Sequence, residues 1–130
     1  MMKPLKILII DDDQDDQEFL LEAIQDLYPH SKNVAKNDGA EALEYIEQNP
    51  PPPSLIFLDL NMPLVNGFEF LTRYQKRPEY GQSRVIIYST SSHPRDKKIS
   101  KELGASEFIT KVADIDILKE KIQQAVERAI

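Results

Sequence analysis

Hydrophobic positions along the chain form two alternating patterns. A continuous apolar run, which is typical of a strand buried on both faces of a sheet, covers residues 55–58. Residues 5–10, apolar except for Lys6, and residues 84–88 and 107–110, which begin with Arg84 and Glu107, predict further strands, and a weaker one lies at 34–35. Between and after the runs, apolar residues recur at the three- and four-residue spacing of one helix face. This strand–helix order, repeated about five times, predicts an α/β domain with a doubly wound five-stranded parallel sheet, about five helices and a single core.

The run at residues 55–58 leads directly into a carboxylate, Asp59. Pro63 prevents the strand from continuing, and Asn66 with Gly67 predicts a turn. Ligands of open α/β sheets bind beyond the carboxyl ends of the strands, so Asp59 is a candidate functional residue. A single aspartate at a strand end is more often a turn or capping residue, and the other strand ends must decide between these interpretations.

Further polar residues follow three other predicted strands. Asp11 and Asp12 come after the first run, Ser89 after the fourth and Lys111 after the fifth. Because parallel strands gather their carboxyl ends at one edge, we expect these residues to lie near Asp59. Clustered carboxylates repel unless their pKa values rise or a cation binds, and an oxygen-only set suits Mg²⁺. The ammonium and hydroxyl groups fit a phosphoryl group, and a carboxylate can be the nucleophile that forms an aspartyl phosphate.

Composition narrows the classes of function. Hydrophobic residues make up 41% and charged residues 29% of the 130 residues, as in soluble globular domains, and the formal net charge is −6. The acidic balance disfavours nucleic-acid binding, and the absence of cysteine excludes disulfides, thiolate catalysis and cysteine zinc sites. No apolar run reaches the ~20 residues of a membrane span, and no signal peptide begins the chain. We therefore expect a cytoplasmic protein that binds neither nucleic acid nor membranes.

Four stretches, taken together and in order, make the sequence resemble a response-regulator receiver domain of two-component signalling. They are residues 7–13, 58–63 together with Gly67, 85–89 and 104–111. The resemblance implies a flavodoxin-like sheet with strand order 2-1-3-4-5, and a single receiver domain over residues 1–130 without an output domain. Residues 89–91 and 111–113 look closest to small single-domain regulators of the phytochrome-kinase-associated type.

The resemblance also implies roles for the residues at the strand ends. Asp59 would be the phosphoacceptor. Asp12 would bind Mg²⁺ (or Mn²⁺) directly, Asp11 would assist, and the main-chain carbonyl of Asn61 would complete the protein's metal ligands. Lys111 would pair with the phosphoryl group. The phosphoryl donor would be the phosphohistidine of a sensor histidine kinase or of a histidine phosphotransfer domain.

Ser89 and Phe108 would form the switch that responds to phosphorylation. The family has at the first position a Ser or Thr that moves toward the phosphate, and at the second a Tyr or Phe that swings inward; the simplest alternative for Phe108 is a core aromatic. The fourth helix, fifth strand and fifth helix would then contact an unidentified downstream protein, or the phosphoryl group would pass onward in a phosphorelay. Such a chain catalyses its own phosphorylation and slow dephosphorylation but has no turnover substrate. The apolar final helix would suit a homodimer as well as packing on the sheet.

One position departs from the family pattern. Val112 follows Lys111, where the family usually has a proline joined by a cis bond. A cis bond before a non-proline residue costs ~3 kcal/mol, so we expect a trans bond and a reshaped loop near Lys111. This departure keeps open an unphosphorylated pseudo-receiver scaffold. A Mg²⁺ phosphatase of the haloacid-dehalogenase type is a weaker alternative, because Asn61 stands where that family has a second acid, and a flavodoxin-like cofactor binder would need a Gly-rich phosphate loop.

The remaining acidic residues near the first strand end receive a structural interpretation. Asp13, Asp15 and Asp16 begin the first predicted helix, where the helix dipole favours negative charge. We interpret them as a helix cap and part of a solvated face.

Overall fold

The computed structural model describes residues 4–62 and 65–130, so the start of the chain and the predicted role of Pro63 lie outside the described residues. The strands are β1 (Lys6–Ile10), β2 (Lys32–Lys36), β3 (Leu55–Leu58), β4 (Arg84–Ser89) and β5 (Glu107–Thr110). The α-helices are α1 (Gln14–Leu27), α2 (Gly39–Gln48), α3 (Gly67–Tyr74), α4 (Pro94–Glu102) and α5 (Ile115–Ala129), and a short 3-10 helix (Pro78–Gln82) precedes β4.

The five strands pair in parallel in the order β2-β1-β3-β4-β5. This arrangement confirms the predicted flavodoxin-like, doubly wound α/β fold. After β1 the chain forms β2 on one side of β1 and then crosses to form β3 on the other side. The order of strands therefore reverses between β1 and β3, and such a switch point is where open α/β sheets bind ligands.

Both faces of the central strands are buried along most of their length, which explains why these strands are mostly apolar and β3 entirely so. Along β1, Leu8 and Ile10 belong to the hydrophobic cluster beneath α2 and α3, whereas Ile7 and Ile9 belong to the cluster beneath α1 and α5. This alternation follows from the two-residue period of a strand. The two clusters hold the sheet rigidly between helical layers, so that the residues just beyond the strands occupy fixed positions.

Gly67, the first residue of α3, lies against the backbone that carries Asp59. A Cβ atom at this glycine would lie 2.6 Å from the carbonyl oxygen of Asp59 and 2.8 Å from the Cα of Leu60. Backbone atoms cannot rotate away as a flexible side chain can. The start of α3 therefore depends on a residue without a side chain.

We expect Gly67→Ala to lower the free energy of unfolding by about 2 kcal/mol, because overpacking forces the backbone to shift. The matched control is Gly81→Ala, since a Cβ at Gly81 would meet nothing within 4 Å and Ala there lowers the entropy of the unfolded chain. Urea denaturation of both variants measures the difference. Equal midpoints for the two variants would contradict the close contact.

Candidate functional site

The carboxyl edge of the sheet brings together residues from four loops that are distant in sequence. Ile10 pairs with Leu58 across β1 and β3, and the backbone N–H of Asp59 donates to the carbonyl of Ile10 at 2.9 Å. The backbone N–H of Lys111 likewise donates to the carbonyl of Ser89 at 2.7 Å. The pairing of β1 with β3 and of β4 with β5 thus continues one residue beyond the strands, which fixes the backbone positions of Asp59 and Lys111.

Three carboxylates form the centre of this edge. Oxygen atoms of Asp11, Asp12 and Asp59 all lie within 4.8 Å of one another. Asp11 and Asp59 are only 2% and 5% exposed, whereas Asp12 is exposed to solvent. Hard oxygen ligands with one solvent-facing side match the preference of Mg²⁺, which binds one or two carboxylates and keeps several waters. The donor set therefore fits the predicted metal ion.

Burial makes this cluster electrostatically unfavourable when its carboxylates are ionised. Desolvation raises the pKa of Asp59 to about 6; the charge of Lys111 opposes this rise and the charge of Asp11 adds to it. Desolvation also raises the pKa of Asp11, against the hydrogen bond from the backbone N–H of Asp13 and the pull of Lys111. A cation at this edge would relieve the repulsion between the buried charges.

Lys111 lies among the carboxylates but does not contact them equally. Its Nζ donates to Asp16 Oδ2 at 2.8 Å and to Asp11 Oδ2 at 2.9 Å, and lies 3.9 Å from Asp59 Oδ1. The same Nζ is 5.2 Å from the ring centroid of Tyr88. Burial alone would lower the pKa of Lys111, but the hydrogen bonds with Asp16 and Asp11 outweigh it and raise the pKa. The ammonium therefore keeps its charge inside the site.

The contact of Asp16 with Lys111 overturns one sequence-based interpretation. Asp13 does cap α1, accepting a hydrogen bond from the backbone N–H of Asp16 at 3.1 Å. The side chain of Asp16, however, is not simply part of a solvated face, because its carboxylate pairs with the Lys111 ammonium. The only signal in the sequence was its place in the first turn of a helix that begins at the sheet edge.

Sequence reasoning also missed Gln17. This side chain is buried, and its amide donates to the carbonyl oxygen of Asp11 and to Asn37 Oδ1. It therefore ties the β1–α1 loop, which carries Asp11, to the loop after β2. No motif marks this residue, since a polar side chain on an otherwise amphipathic helix is usually solvated.

The two predicted switch residues differ in their surroundings. Ser89 is fully buried at the end of β4, and its Oγ accepts a hydrogen bond from the backbone N–H of Ser91 at 3.2 Å. Phe108 is half-buried in β5 and packs against the cluster beneath α2 and α3, with Lys97 Nζ 5.8 Å from its ring centroid. The switch roles of Ser89 and Phe108 stay predictions.

Two other expectations concern the loops around the site. The bond between Lys111 and Val112 is trans, as predicted, since the one cis peptide bond within residues 4–62 and 65–130 precedes Pro51. Asn61 is exposed, and its backbone amide lowers the pKa of Asp59; the metal-binding role of its carbonyl stays a prediction. Over the same residues, no helix is both long and apolar enough to cross a membrane.

Comparison with known proteins agrees with the resemblance found in the sequence. The response regulator receiver domain model matches residues 7–123. The chain is 28% identical to response regulator Rcp1 of Synechocystis, over 92% of this chain and 85% of Rcp1. It is also 31% identical over 89% of its length to a probable cyclic di-GMP phosphodiesterase of Vibrio cholerae, but spans only 25% of that protein.

Solved structures extend the comparison to three dimensions. The phosphorylated cyanobacterial phytochrome response regulator RcpA superposes with a TM-score of 0.85 at 30% identity, covering 98% of this chain and 94% of RcpA. The Mn²⁺-bound form of Rcp1 superposes with a TM-score of 0.80 at 27% identity, covering 93% of this chain and 91% of Rcp1. These matches agree with the predicted resemblance to phytochrome-associated regulators.

Proposed function

Because this chain belongs to the response regulator receiver domain family, we propose that it accepts a phosphoryl group on Asp59. The donor is the phosphohistidine of a sensor histidine kinase or of a histidine phosphotransfer domain. The observation that carries this proposal is the position of Asp59: a buried carboxylate at the sheet edge, within 4.8 Å of the Asp11 and Asp12 carboxylates and 3.9 Å from the Lys111 ammonium.

The chemistry requires a nucleophile and neutralisation of charge. An oxygen of the ionised Asp59 carboxylate forms a bond to phosphorus while the bond from phosphorus to the donor imidazole nitrogen breaks, and the electron pair of that bond stays on the nitrogen. The product is an acyl phosphate on Asp59 and a histidine that has regained its lone pair. Lys111 offers a positive charge to the phosphoryl oxygens, and positioning with charge neutralisation is the main requirement of phosphoryl transfer.

Asp11, Asp12 and Asp59 are the residues that would hold Mg²⁺ or Mn²⁺, together with the main-chain carbonyl of Asn61. When bound, the cation neutralises negative charge on the phosphoryl oxygens. Two findings support this part of the proposal: the oxygen-only donor set of the three carboxylates, and the Mn²⁺-bound form of the relative Rcp1.

We expect Mg²⁺ to stabilise the folded protein, because the unfolded chain lacks the cluster. At ten times the dissociation constant, linkage adds about 1.4 kcal/mol, which corresponds to about 5 °C in Tm for a domain of this size. Thermal unfolding with Mg²⁺ and with EDTA measures the shift. Asp12→Asn should abolish most of the shift, whereas Asp15→Asn, an equal charge change on the neighbouring helix turn, should preserve it; a shift of equal size in both variants would contradict the assignment.

The alternatives receive less support. A pseudo-receiver scaffold would not need an ammonium beside the acceptor, yet with Val112 joined by a trans bond, Lys111 Nζ still lies 3.9 Å from Asp59 Oδ1. A haloacid-dehalogenase-type phosphatase would need an acid at the position of Asn61 to protonate the leaving group. We therefore propose a phosphoacceptor without a turnover substrate, rather than either alternative.

The output follows from the same proposal. Phosphorylation of Asp59 would shift Ser89 and Phe108 and so change the surface formed by α4, β5 and α5, which would bind a downstream protein or pass the phosphoryl group on. A cytoplasmic site of action, the single-domain organisation and the homodimer remain predictions from the sequence.

Phosphoramidate tests the donor chemistry directly, because its phosphorus–nitrogen bond resembles that of phosphohistidine. Incubation with phosphoramidate and Mg²⁺ should increase the intact mass by one phosphate in the wild-type protein and leave Asp59→Asn unchanged. Equal modification of both proteins would place the phosphate elsewhere and overturn the proposal.

A further inference from the structure

The resting position of Lys111 is biased away from the proposed acceptor. Its Nζ makes hydrogen bonds of 2.8 Å to Asp16 and 2.9 Å to Asp11, whereas its distance to Asp59 Oδ1 is 3.9 Å. An ammonium has three donors, and in this geometry two of them are committed to carboxylates other than Asp59. The third donor is free among the described residues, but these two hydrogen bonds oppose any movement of Nζ from its present position toward a phosphoryl group on Asp59.

The carboxylates of Asp11 and Asp16 differ in how readily their hydrogen bonds to Lys111 can break. Asp11 is 2% exposed and also accepts a hydrogen bond from the backbone N–H of Asp13 at 3.0 Å, so its carboxylate is fixed inside the site. The side chain of Asp16 is 37% exposed. Once separated from Lys111, it can be solvated by water, and its place in the first turn of α1 keeps it near the positive end of the helix dipole.

We propose that Asp16 is a positioning residue that restrains Lys111 in the unphosphorylated protein and releases it when Asp59 is phosphorylated. This inference rests on the proposed function and adds a regulating group to the same site. Phosphorylation replaces the single negative charge of Asp59 with a more highly charged phosphoryl group, which competes more strongly for the ammonium. Asp16 therefore opposes the phosphorylated state, and its removal favours that state.

The test compares Asp16→Asn with Asp15→Asn. Both changes remove one negative charge from the same helix turn, and Asp15 is exposed. Asp16→Asn keeps the backbone N–H that Asp13 caps, so the helix start is preserved. We expect the rate of phosphate uptake from acetyl phosphate to rise about two- to fivefold in Asp16→Asn, the size expected for loss of one partly exposed ion pair, and to stay at the wild-type value in Asp15→Asn.

Two further readouts separate this role from a general structural effect. The gain should appear in the maximal rate rather than in the donor concentration for half-maximal rate, because Asp16 acts through Lys111 and not on the donor. The affinity for beryllofluoride, followed by fluorine NMR, should rise by a similar factor. Both gains should vanish when Asp16→Asn is combined with Lys111→Met.

The possible failures can be told apart. A wild-type protein that acquires no phosphate and binds no beryllofluoride would overturn the proposed function and the restraint with it. Normal uptake by the wild-type protein, with an unchanged or slower rate in Asp16→Asn, would overturn the restraint alone. A gain that persists in the Lys111→Met background would also overturn it, because Asp16 would then act by another route.

Discussion

Lys111→Met is expected to lower the rate of phosphate uptake at least a hundredfold. Removal of a single charge-stabilising group from an active site typically costs about 10²–10³ in rate, and Lys111 is the one cation within 4 Å of Asp59 among the described residues. Its side chain is only 10% exposed, so solvent cannot replace its charge at the position where the phosphoryl oxygens would lie.

The same substitution should also lower the stability of the fold. Without the ammonium, the buried carboxylates of Asp11 and Asp59 lose their opposing charge, and removal of one partner from a buried ion pair costs about 3–5 kcal/mol. Because Asp16 is partly exposed, water can solvate its carboxylate and so reduce this cost. We therefore expect the free energy of unfolding to fall by about 2–4 kcal/mol in EDTA and by less in Mg²⁺.

Urea denaturation and the time course of phosphate uptake measure the two effects of this substitution. Lys76→Met is the matched control, since Lys76 is exposed on the surface after α3 and should change neither quantity appreciably. A Lys111→Met protein that takes up phosphate at the wild-type rate would show that the ammonium plays no part in the transfer.

The second large effect is an increase in stability. Asp59→Asn should raise the free energy of unfolding of the metal-free protein by about 1–3 kcal/mol at pH 7.5. Burial raises the pKa of Asp59 to about 6, so the ionised carboxylate is less stable in the folded protein than in the unfolded chain. Asparagine keeps the shape of the side chain without the charge.

The sign of the pH dependence follows from the raised pKa. Between the unfolded pKa of about 3.9 and the folded pKa of about 6, the folded protein holds a proton on Asp59 that the unfolded chain has lost. The free energy of unfolding is therefore highest below about pH 3.9, falls as the pH rises, and has lost the whole contribution of this group once the pH has passed about 6. The advantage of Asp59→Asn should therefore be small near pH 4, grow between pH 4 and 6, and level off above that.

Denaturation in EDTA across this pH range tests the effect. Asp12→Asn is the comparison, because Asp12 belongs to the same cluster but is exposed, and its removal should change stability less. A wild-type protein that is more stable than Asp59→Asn at pH 7.5 would show that burial of the ionised Asp59 carboxylate does not destabilise the fold.

The fold was predictable because the apolar stretches, which are the clearest pattern in the sequence, form the central strands of the sheet. Leu55–Leu58 is continuously apolar and is buried on both faces. The weakest prediction was the strand at Val34 and Ala35; the observed β2 is longer, covering Lys32–Lys36. It is an edge strand with lysines at both ends and only partial burial, so its sequence carries little of the pattern of a buried strand.

The site was predictable only as far as topology determines it. Asp11 and Asp59 follow neighbouring strands, and parallel pairing brings their carboxylates together whatever the details of packing. Asp16 was wrongly assigned to a solvated face, because its contact depends on how far the Lys111 side chain reaches across the start of α1. Such a reach depends on rotamers and on the path of the loop through Val112, and neither leaves a periodic signal in the sequence.

The intact mass of the protein after incubation with acetyl phosphate and Mg²⁺ tests most directly whether Asp59 is the phosphoacceptor. We expect one added phosphate on the wild-type protein, no addition in EDTA and none on Asp59→Asn. If no adduct is seen, beryllofluoride binding shows whether rapid hydrolysis has removed it. Absence of both the adduct and beryllofluoride binding in the wild-type protein, or an adduct that persists on Asp59→Asn, would contradict the assignment of Asp59 as the phosphoacceptor.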